Sequence, residues 1–286
     1  MILVDLNQVL IAATMGLIND SKGKELDEDL FRHTILNNLR LYTKSFRQKY
    51  GNLVLCFDNK NYWRRTVFPH YKAGRKKARE ASEIDWNKIF VIFDKIRQEL
   101  KDNFPYKCID VDNAEADDII GTLAPRHVAH ENVLILSSDG DFIQLQRHNK
   151  NAKFEIKQYN APMKKYVETE DADFQLKEKI IRGDSGDGIP NIYSPADCFV
   201  VGQRQTRITK NMIDKLLNEN FETWPQMVQE GYIRNQTLID LSKIPEEIKT
   251  KIINNFEECK PANKQKMLTY FIEKRLKNLM DVIEEF

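Results

Sequence analysis

Short apolar runs and longer amphipathic stretches alternate through the first half of the chain. Met1–Leu6, Leu53–Phe57, Tyr106–Val111 and Val133–Ser137 are apolar runs too short for helices, and they read as strands of a buried sheet. Asn7–Ile18 reads as the segment returning from the first of them. Glu28–Tyr50 carries Phe31, Ile35, Leu39, Tyr42 and Phe46 at helical spacing and stops at Gly51. Ser82 and Glu83 open a second long helix with Trp86, Ile89, Phe93, Ile96 and Leu100 on one face, and Ala114–Arg126 reads as a third. Such alternation predicts an α/β fold, a mostly parallel central sheet with helices on both faces. Past about residue 174 the pattern turns helical, with Phe174–Arg182 followed by helices broken at Pro225, Gly231, Pro245 and Pro261. No internal repeat or low-complexity linker separates the halves. The expected organisation is therefore an α/β body over 1–173 and a helical region over 174–286 packed on it.

The composition, 41% hydrophobic and 30% charged over 286 residues, is that of a soluble globular protein with a sizeable core. No apolar run approaches the length that crosses a bilayer, and only Ile2-Leu3-Val4 precede Asp5, so neither a membrane span nor a secretory leader is expected. Cys56, Cys108, Cys198 and Cys259 stand far apart without a CxxC, and the first two lie inside strand-like runs. They read as small buried hydrophobes, which fits a reducing cytoplasm and does not fit a zinc site.

The net charge of +1 conceals an asymmetry. Residues 60–79 hold Lys60, Arg64, Arg65, Lys72, Arg75, Lys76, Lys77 and Arg79 and no acid; removing these eight from 44 basic residues leaves 36 against 43 acids, a net of −7 elsewhere. A basic run is ordinarily a solvated helix face. Here Tyr62, Trp63, Phe68 and Tyr71 are interleaved with the charges, a pattern that favours a nucleic-acid track.

Nine carboxylates fall in five clusters: Asp5, Asp58, Glu115-Asp117-Asp118 of EADD, Asp139 and Asp141 of SSDGD, and Asp184 and Asp187 of GDSGD. Asp5, Asp58 and Asp139 each follow the last apolar residues of a strand, the edge at which open α/β sheets bind ligands. Glu115 and Asp118, spaced i, i+3, share a helix face, whereas Asp117 points elsewhere on an ideal helix. Gly140 permits a tight turn between Asp139 and Asp141. Taken singly, each cluster has a structural explanation as a helix cap, a dipole complement or a surface turn. Taken together, so many acids converging on one edge call for hard divalent cations and point to chemistry on phosphate.

In order along the chain, FDNKNYWRR, HYKAGRKKARE, EADDIIG, LILSSDGDFIQL and IIRGDSGD resemble the 5′-nuclease superfamily of flap endonucleases and the 5′-nuclease domains of bacterial DNA polymerases, in particular its T-even phage ribonuclease H branch. The likeness covers most of the chain and is densest between residues 53 and 188. It implies a 5′-nuclease/PIN-like body, a helical arch formed by the basic segment at about 60–85, and a duplex-DNA-binding role for the helical region. It further implies that Asp5, Asp58, Glu115, Asp117 and Asp118 surround one metal ion, and Asp139, Asp141, Asp184 and Asp187 a second. Arg64, Tyr71, Lys72 and Arg75 match the arch, which contacts the scissile phosphate and the single-stranded 5′ arm; Arg65, Lys76, Lys77 and Arg79 extend the same basic track. In the family a Gly-rich motif after GDxxD grips duplex with help from K⁺. GIPNIYSPADCFVVGQRQTR lacks that glycine pattern, which puts the K⁺ site in question, while Arg204, Arg207 and Lys210 keep a basic character suited to phosphate.

The expected reaction is phosphodiester hydrolysis with two Mg²⁺ ions, Mn²⁺ substituting, held by the carboxylates. Lys72 and Arg75 add fixed positive charge, and Asp139 and Asp141 stand with them as the catalytic set. The resemblance implies a 5′ end at a flap, a nick, or an RNA primer on an RNA–DNA hybrid as substrate. A single-strand binding protein or a sliding clamp fits a replication nuclease as partner, a monomer is the default state, and no membrane is involved. Three rivals differ in class. A silent structure-specific DNA-binding protein would have lost acids, a single-strand ribonuclease would lack the arch and GDxxD, and a small-molecule phosphatase would leave the basic stretch without purpose.

Overall fold

The computed structural model describes residues 1–20, 27–150 and 152–286. Strands β1 (Ile2–Asp5), β2 (Leu53–Cys56), β3 (Lys107–Ile109), β4 (Val133–Leu136), β5 (Ile156–Asn160) and β6 (Lys165–Val167) form one sheet in the order β3-β2-β1-β4-β5-β6. The first five run parallel and β6 returns antiparallel along the edge. Because side chains alternate across a strand, Ile2, Val4, Leu53, Leu55, Leu134 and Leu136 enter one core, and Leu3, Val54, Cys56, Val133 and Ile135 enter another. The first core is covered by α1 (Leu6–Asp20), α2 (Glu28–Tyr50) and α5 (Trp86–Asn103). On the opposite face α6 (Ala116–His127) covers the second. Between β2 and α5 lie two short helices, α3 (Arg64–Val67) and α4 (Ala73–Glu80).

The helical half spreads over both faces. It comprises α7 (Ala172–Arg182), α8 (Lys210–Asn218), α9 (Gln226–Ile239), α10 (Glu246–Glu258), α11 (Lys264–Glu273) and α12 (Lys277–Met280). Ile248 and Ile252 of α10 join the α6 core, while Met267, Tyr270 and Phe271 of α11 and the terminal Phe286 join the α2–α5 core. Buried Arg32 of α2 donates to Glu99 of α5 at 2.8 Å, and Tyr270 donates to the same carboxylate at 2.7 Å. Asn235 of α9, fully buried, donates to the carbonyls of Ile180 and Pro190, both at 2.8 Å, and so fixes α9 against α7 and the turn after it.

The α/β class and parallel sheet are as predicted, with local differences. Asn7–Ile18 is not merely a return but most of helix α1, which starts directly at Leu6. The long helix expected from Ser82 begins at Trp86, because the Asp85 carboxylate caps it by accepting from the Lys88 amide at 3.1 Å. β5 and β6 lie in a stretch where no strand was expected: β5 alternates buried and half-buried positions, and β6 is short and largely exposed at the sheet edge. Gly231 does not break a helix. It sits inside α9, where a side chain would not fit: a Cβ there would lie 2.7 Å from the Ile192 carbonyl oxygen and 2.9 Å from its Cα. Gly231→Ala should therefore push α9 off the backbone at Ile192 and lower stability by about 1–3 kcal/mol, seen as a lower denaturant midpoint at unchanged slope.

Candidate active site

Three parallel strands deliver acids to one edge of the sheet. Asp5 ends β1, Asp58 follows β2 by two residues, and Asp139 follows β4 by three. Glu115 and Asp117 reach the same place from the first turn of α6, whose start is held against β2 by the Asp58 carboxylate accepting the Ala116 amide at 2.7 Å. Asp5 is oriented by the Gln8 amide and the Ser137 hydroxyl, both donating at 3.2 Å. The Ser137 hydroxyl also accepts the Asp139 amide at 3.1 Å, and the Gln158 side chain donates to the carbonyls of Ser137 and Asp139. Asn7 donates to Asp58, and Arg97 reaches the Asp58 carbonyl at 2.7 Å. These five acids line one cleft of about 820 Å³, and Lys72, Arg75, Arg65 and Arg79 line it as well.

Crowding of like charges shows in the acidities. Burial, with the Asp58 charge adding to it, pushes Asp5 up from 3.8 to about 7. Burial and then Asp139 push Asp117 well above its ordinary value. Glu115 goes the other way: against the effect of burial, the charges of Lys72 and Arg64 hold it below the usual carboxylate range. Lys72 Nζ lies 2.5 Å from Glu115 Oε1, and Arg64 Nη1 lies 2.9 Å from Glu115 Oε2 and 2.8 Å from Asp118 Oδ1.

Several predicted site residues take other places. Asp118 is fully buried and points away from the cleft; it accepts from the Trp63 indole at 3.1 Å, pairs with Arg64, and caps its own helix through the Glu115 amide at 2.9 Å. Asp117, expected to point elsewhere, is the one that faces the cleft, because Glu115 precedes α6 as its cap in extended conformation and shifts the helical phase. Arg64 and Tyr71, each 2% exposed, are not open to a nucleic-acid strand. Arg64 is consumed by Glu115, Asp118 and the Leu238 carbonyl, and the Tyr71 hydroxyl donates to Glu115 at 3.1 Å and Asp187 at 3.0 Å. Arg65, Arg75, Lys76 and Lys77 are exposed, and Arg79 is half-buried. Arg204 and Arg207 are exposed between the GDSGD turn and α8, and Lys210 is exposed at the start of α8.

The remaining acids are already paired with cations. Asp187 pairs with Arg75 and lies 3.6 Å from Lys72 Nζ, while its carbonyl accepts the Lys72 amide at 2.7 Å. That amide contact holds Lys72 at φ 56°, a left-handed conformation outside its usual range. Asp141 and Asp184 share Lys179 of α7, which lies 3.1 Å from Asp184 and also contacts Asp141. Lys179 went unnoticed in the sequence; its only signal is its place one helical turn before GDSGD. Among the described residues no three His, Cys, Asp or Glu side chains stand at mutual metal-ligating distance. The donor set nonetheless fits a hard divalent cation, since the carboxylates of Asp5, Asp58, Asp117 and Asp139 share one cleft, and burial beside neighbouring carboxylates raises the pKa of Asp5 and of Asp117.

A family model for the 5′-3′ exonuclease N-terminal, resolvase-like domain matches residues 1–179, and the model for the T4 RNase H C-terminal region matches residues 170–286. The ribonuclease H of Enterobacteria phage T4 is 32% identical over 296 residues, which span 99% of this chain and 95% of that protein. The chain belongs to the 5′-3′ exonuclease family. As a member of that family it is a nuclease, a hydrolase. A 5′-3′ exonuclease of Buchnera aphidicola subsp. Schizaphis graminum, another relative of this family, is 30% identical over 158 residues, 53% of this chain and 51% of that one. Among solved structures, the T5 D15 protein co-crystallised with metal ions superimposes with a TM-score of 0.61 at 15% identity, covering 90% of this chain and 98% of that one. The T5 5′-exonuclease with bound zinc gives the same TM-score and identity, over 91% and 98%. These two likenesses place the family fold on this chain.

Two outcomes follow from the charges. An acid whose folded pKa is raised costs the fold stability once pH exceeds its unfolded value, and the cost grows until pH passes the folded value, here between about 4 and 7. In chelator, Asp5→Asn should therefore be more stable than the natural chain at pH 8, by about 1–3 kcal/mol, with the gain shrinking as pH falls toward 4 in denaturant titrations. Arg64→Met, in contrast, strands Asp118 and leaves Glu115 with Lys72 alone as countercharge, and should cost about 3–5 kcal/mol at pH 7 in the same assay.

Proposed function

We propose that the protein is a divalent-cation-dependent 5′→3′ exonuclease and structure-specific flap endonuclease that cuts phosphodiesters at 5′ ends of DNA flaps and nicks and of RNA primers paired to DNA. The observation that carries this reading is the single cleft in which five acids from three strand ends and α6 share a space with Lys72, Arg75, Arg65 and Arg79. Acids and cations placed together in that way suit a phosphate held between metal ions and fixed positive charge.

The oxygen donors of Asp5, Asp58, Glu115, Asp117 and Asp139 would hold Mg²⁺, with Mn²⁺ as a substitute. Bound there, such ions activate water and neutralise charge on the phosphoryl oxygens. A second ion among Asp139, Asp141, Asp184 and Asp187 requires Lys179 and Arg75 to give up their carboxylates. Lys72 and Arg75 supply positive charge to the phosphate at the cleft. The exposed Arg65, Lys76 and Lys77, with Arg79, track the 5′ strand, and Arg204, Arg207 and Lys210 contact the backbone of the duplex behind it. A single-strand binding protein or a sliding clamp would be a fitting partner for a monomeric enzyme of this kind, and no K⁺ site is included. Among the described residues no helix is long and apolar enough to cross a membrane.

The test is a labelled 5′-flap duplex beside its 3′-flap mirror image, with Mg²⁺ and with chelator. Mg²⁺-dependent cutting of the 5′ substrate alone is expected; binding without cutting in either Mg²⁺ or Mn²⁺ would replace the nuclease with a silent DNA-binding protein. Asp139→Asn should lower the cleavage rate on the order of 100-fold or more while binding persists, as read by single-turnover cleavage alongside anisotropy. Mg²⁺ should also raise the melting temperature of the natural chain more than that of Asp5→Asn.

A further inference from the structure

The cleft has a wall that the acids and cations do not explain. Ile89, Ile92, Phe93, Ile96 and Leu100 turn the core face of α5 inward, which leaves Trp86 and Phe90, one turn apart, half-buried along the cleft. Their ring centroids lie 5.9 Å apart with planes tilted by 32°, so the two rings are closer to parallel than to edge-on. Phe93 braces Phe90 edge-on at 5.9 Å. Cations stand over aromatic rings of the cleft: the Arg79 guanidinium lies 5.4 Å over the Phe90 ring, and Arg65 lies 4.5 Å over Tyr62. The first turn of α5 is anchored by the Asp85 cap, which gives the rings a rigid support.

We infer that Trp86 and Phe90 are a stacking platform for one unpaired nucleobase of the strand whose phosphates meet Lys72 and Arg75. A nucleotide supplies what this cleft asks for, a flat apolar face for the rings and an anion for the cations beside them. Every base has a π-face, so the platform selects for an unpaired base rather than for a sequence. A duplex, with its bases already stacked on one another, has no face to offer. The platform thereby favours a single-stranded 5′ arm over paired DNA at this position. This inference rests on the nuclease reading above.

Tryptophan emission tests it, because the other two indoles are buried: Trp63 donates to Asp118, and Trp224 packs with Ile181 and Val228. The full chain is titrated in chelator with a fluorescein-labelled 5′-flap duplex, anisotropy reporting binding and tryptophan emission reporting stacking. Binding should quench emission, and the quench should vanish in Trp86→Phe, which still binds because phenylalanine can stack. It should vanish too when one particular flap nucleotide is made abasic, and Trp86→Ala should weaken binding by about 10-fold. An undiminished quench in Trp86→Phe, wild-type affinity in Trp86→Ala, or indifference to every abasic position would each overturn the platform while the nuclease reading stands. Absence of any binding together with absence of Mg²⁺-dependent cutting would sink both.

Discussion

Like charges brought together are the constraint around which this molecule is arranged. Five acids on one cleft repel one another, and nothing in that edge of the sheet would hold them there on its own. What holds them is apolar burial on both faces of the sheet, where β1, β2 and β4 are buried along their whole length. The raised pKa values of Asp5 and Asp117 are the local record of that opposition. Folding energy gathered in the two cores is thus stored as an electrostatic demand at the sheet edge.

The basic segment between β2 and α5 answers the same demand from within the chain. Arg64 neutralises Glu115 and Asp118, Lys72 neutralises Glu115, and Arg75 neutralises Asp187. Tyr71 joins Glu115 to Asp187 through one hydroxyl. The segment therefore has two roles separated by burial. Its inward residues, Arg64 and Tyr71, are structural counterions and bridges, and its outward ones, Arg65, Arg75, Lys76 and Lys77, are exposed. Lys72 stands at the boundary, buried against Glu115 yet lining the cleft, with a backbone held in the left-handed region by Asp187. The GDSGD turn thus sets the position of the cation nearest the acids, which ties α7 and the helical half of the chain to the chemistry of the body.

Most of the architecture was legible along the chain. The four short apolar runs are strands because runs of five or six residues are too short for stable helices, and in β1, β2 and β4 the side chains are buried on both faces. The gathering of the acids at their ends was legible because the carboxyl ends of parallel strands share an edge. β5 escaped notice because it is short and carries polar residues on both faces, Gln158 and Asn160 on the buried one and Lys157 on the other, and β6 because it is an edge strand with little to bury. Trp86 was grouped with the core on spacing alone; its place on the cleft depends on where α4 and the acids come to lie.

Sequence by itself determined the α/β class, the edge at which the acids gather, and the segregation of positive charge into one segment, since each follows from local periodicity or composition. Tertiary structure alone decided which acid of EADD faces the cleft, since the extended cap at Glu115 sets the phase of α6. It alone decided which cations are spent inside the protein, since a charge is either paired or free according to burial and a partner far away in the chain. Glu115 meets Arg64 across 51 residues and Lys179 meets Asp141 across an entire hairpin of strands, and no local pattern encodes such a meeting.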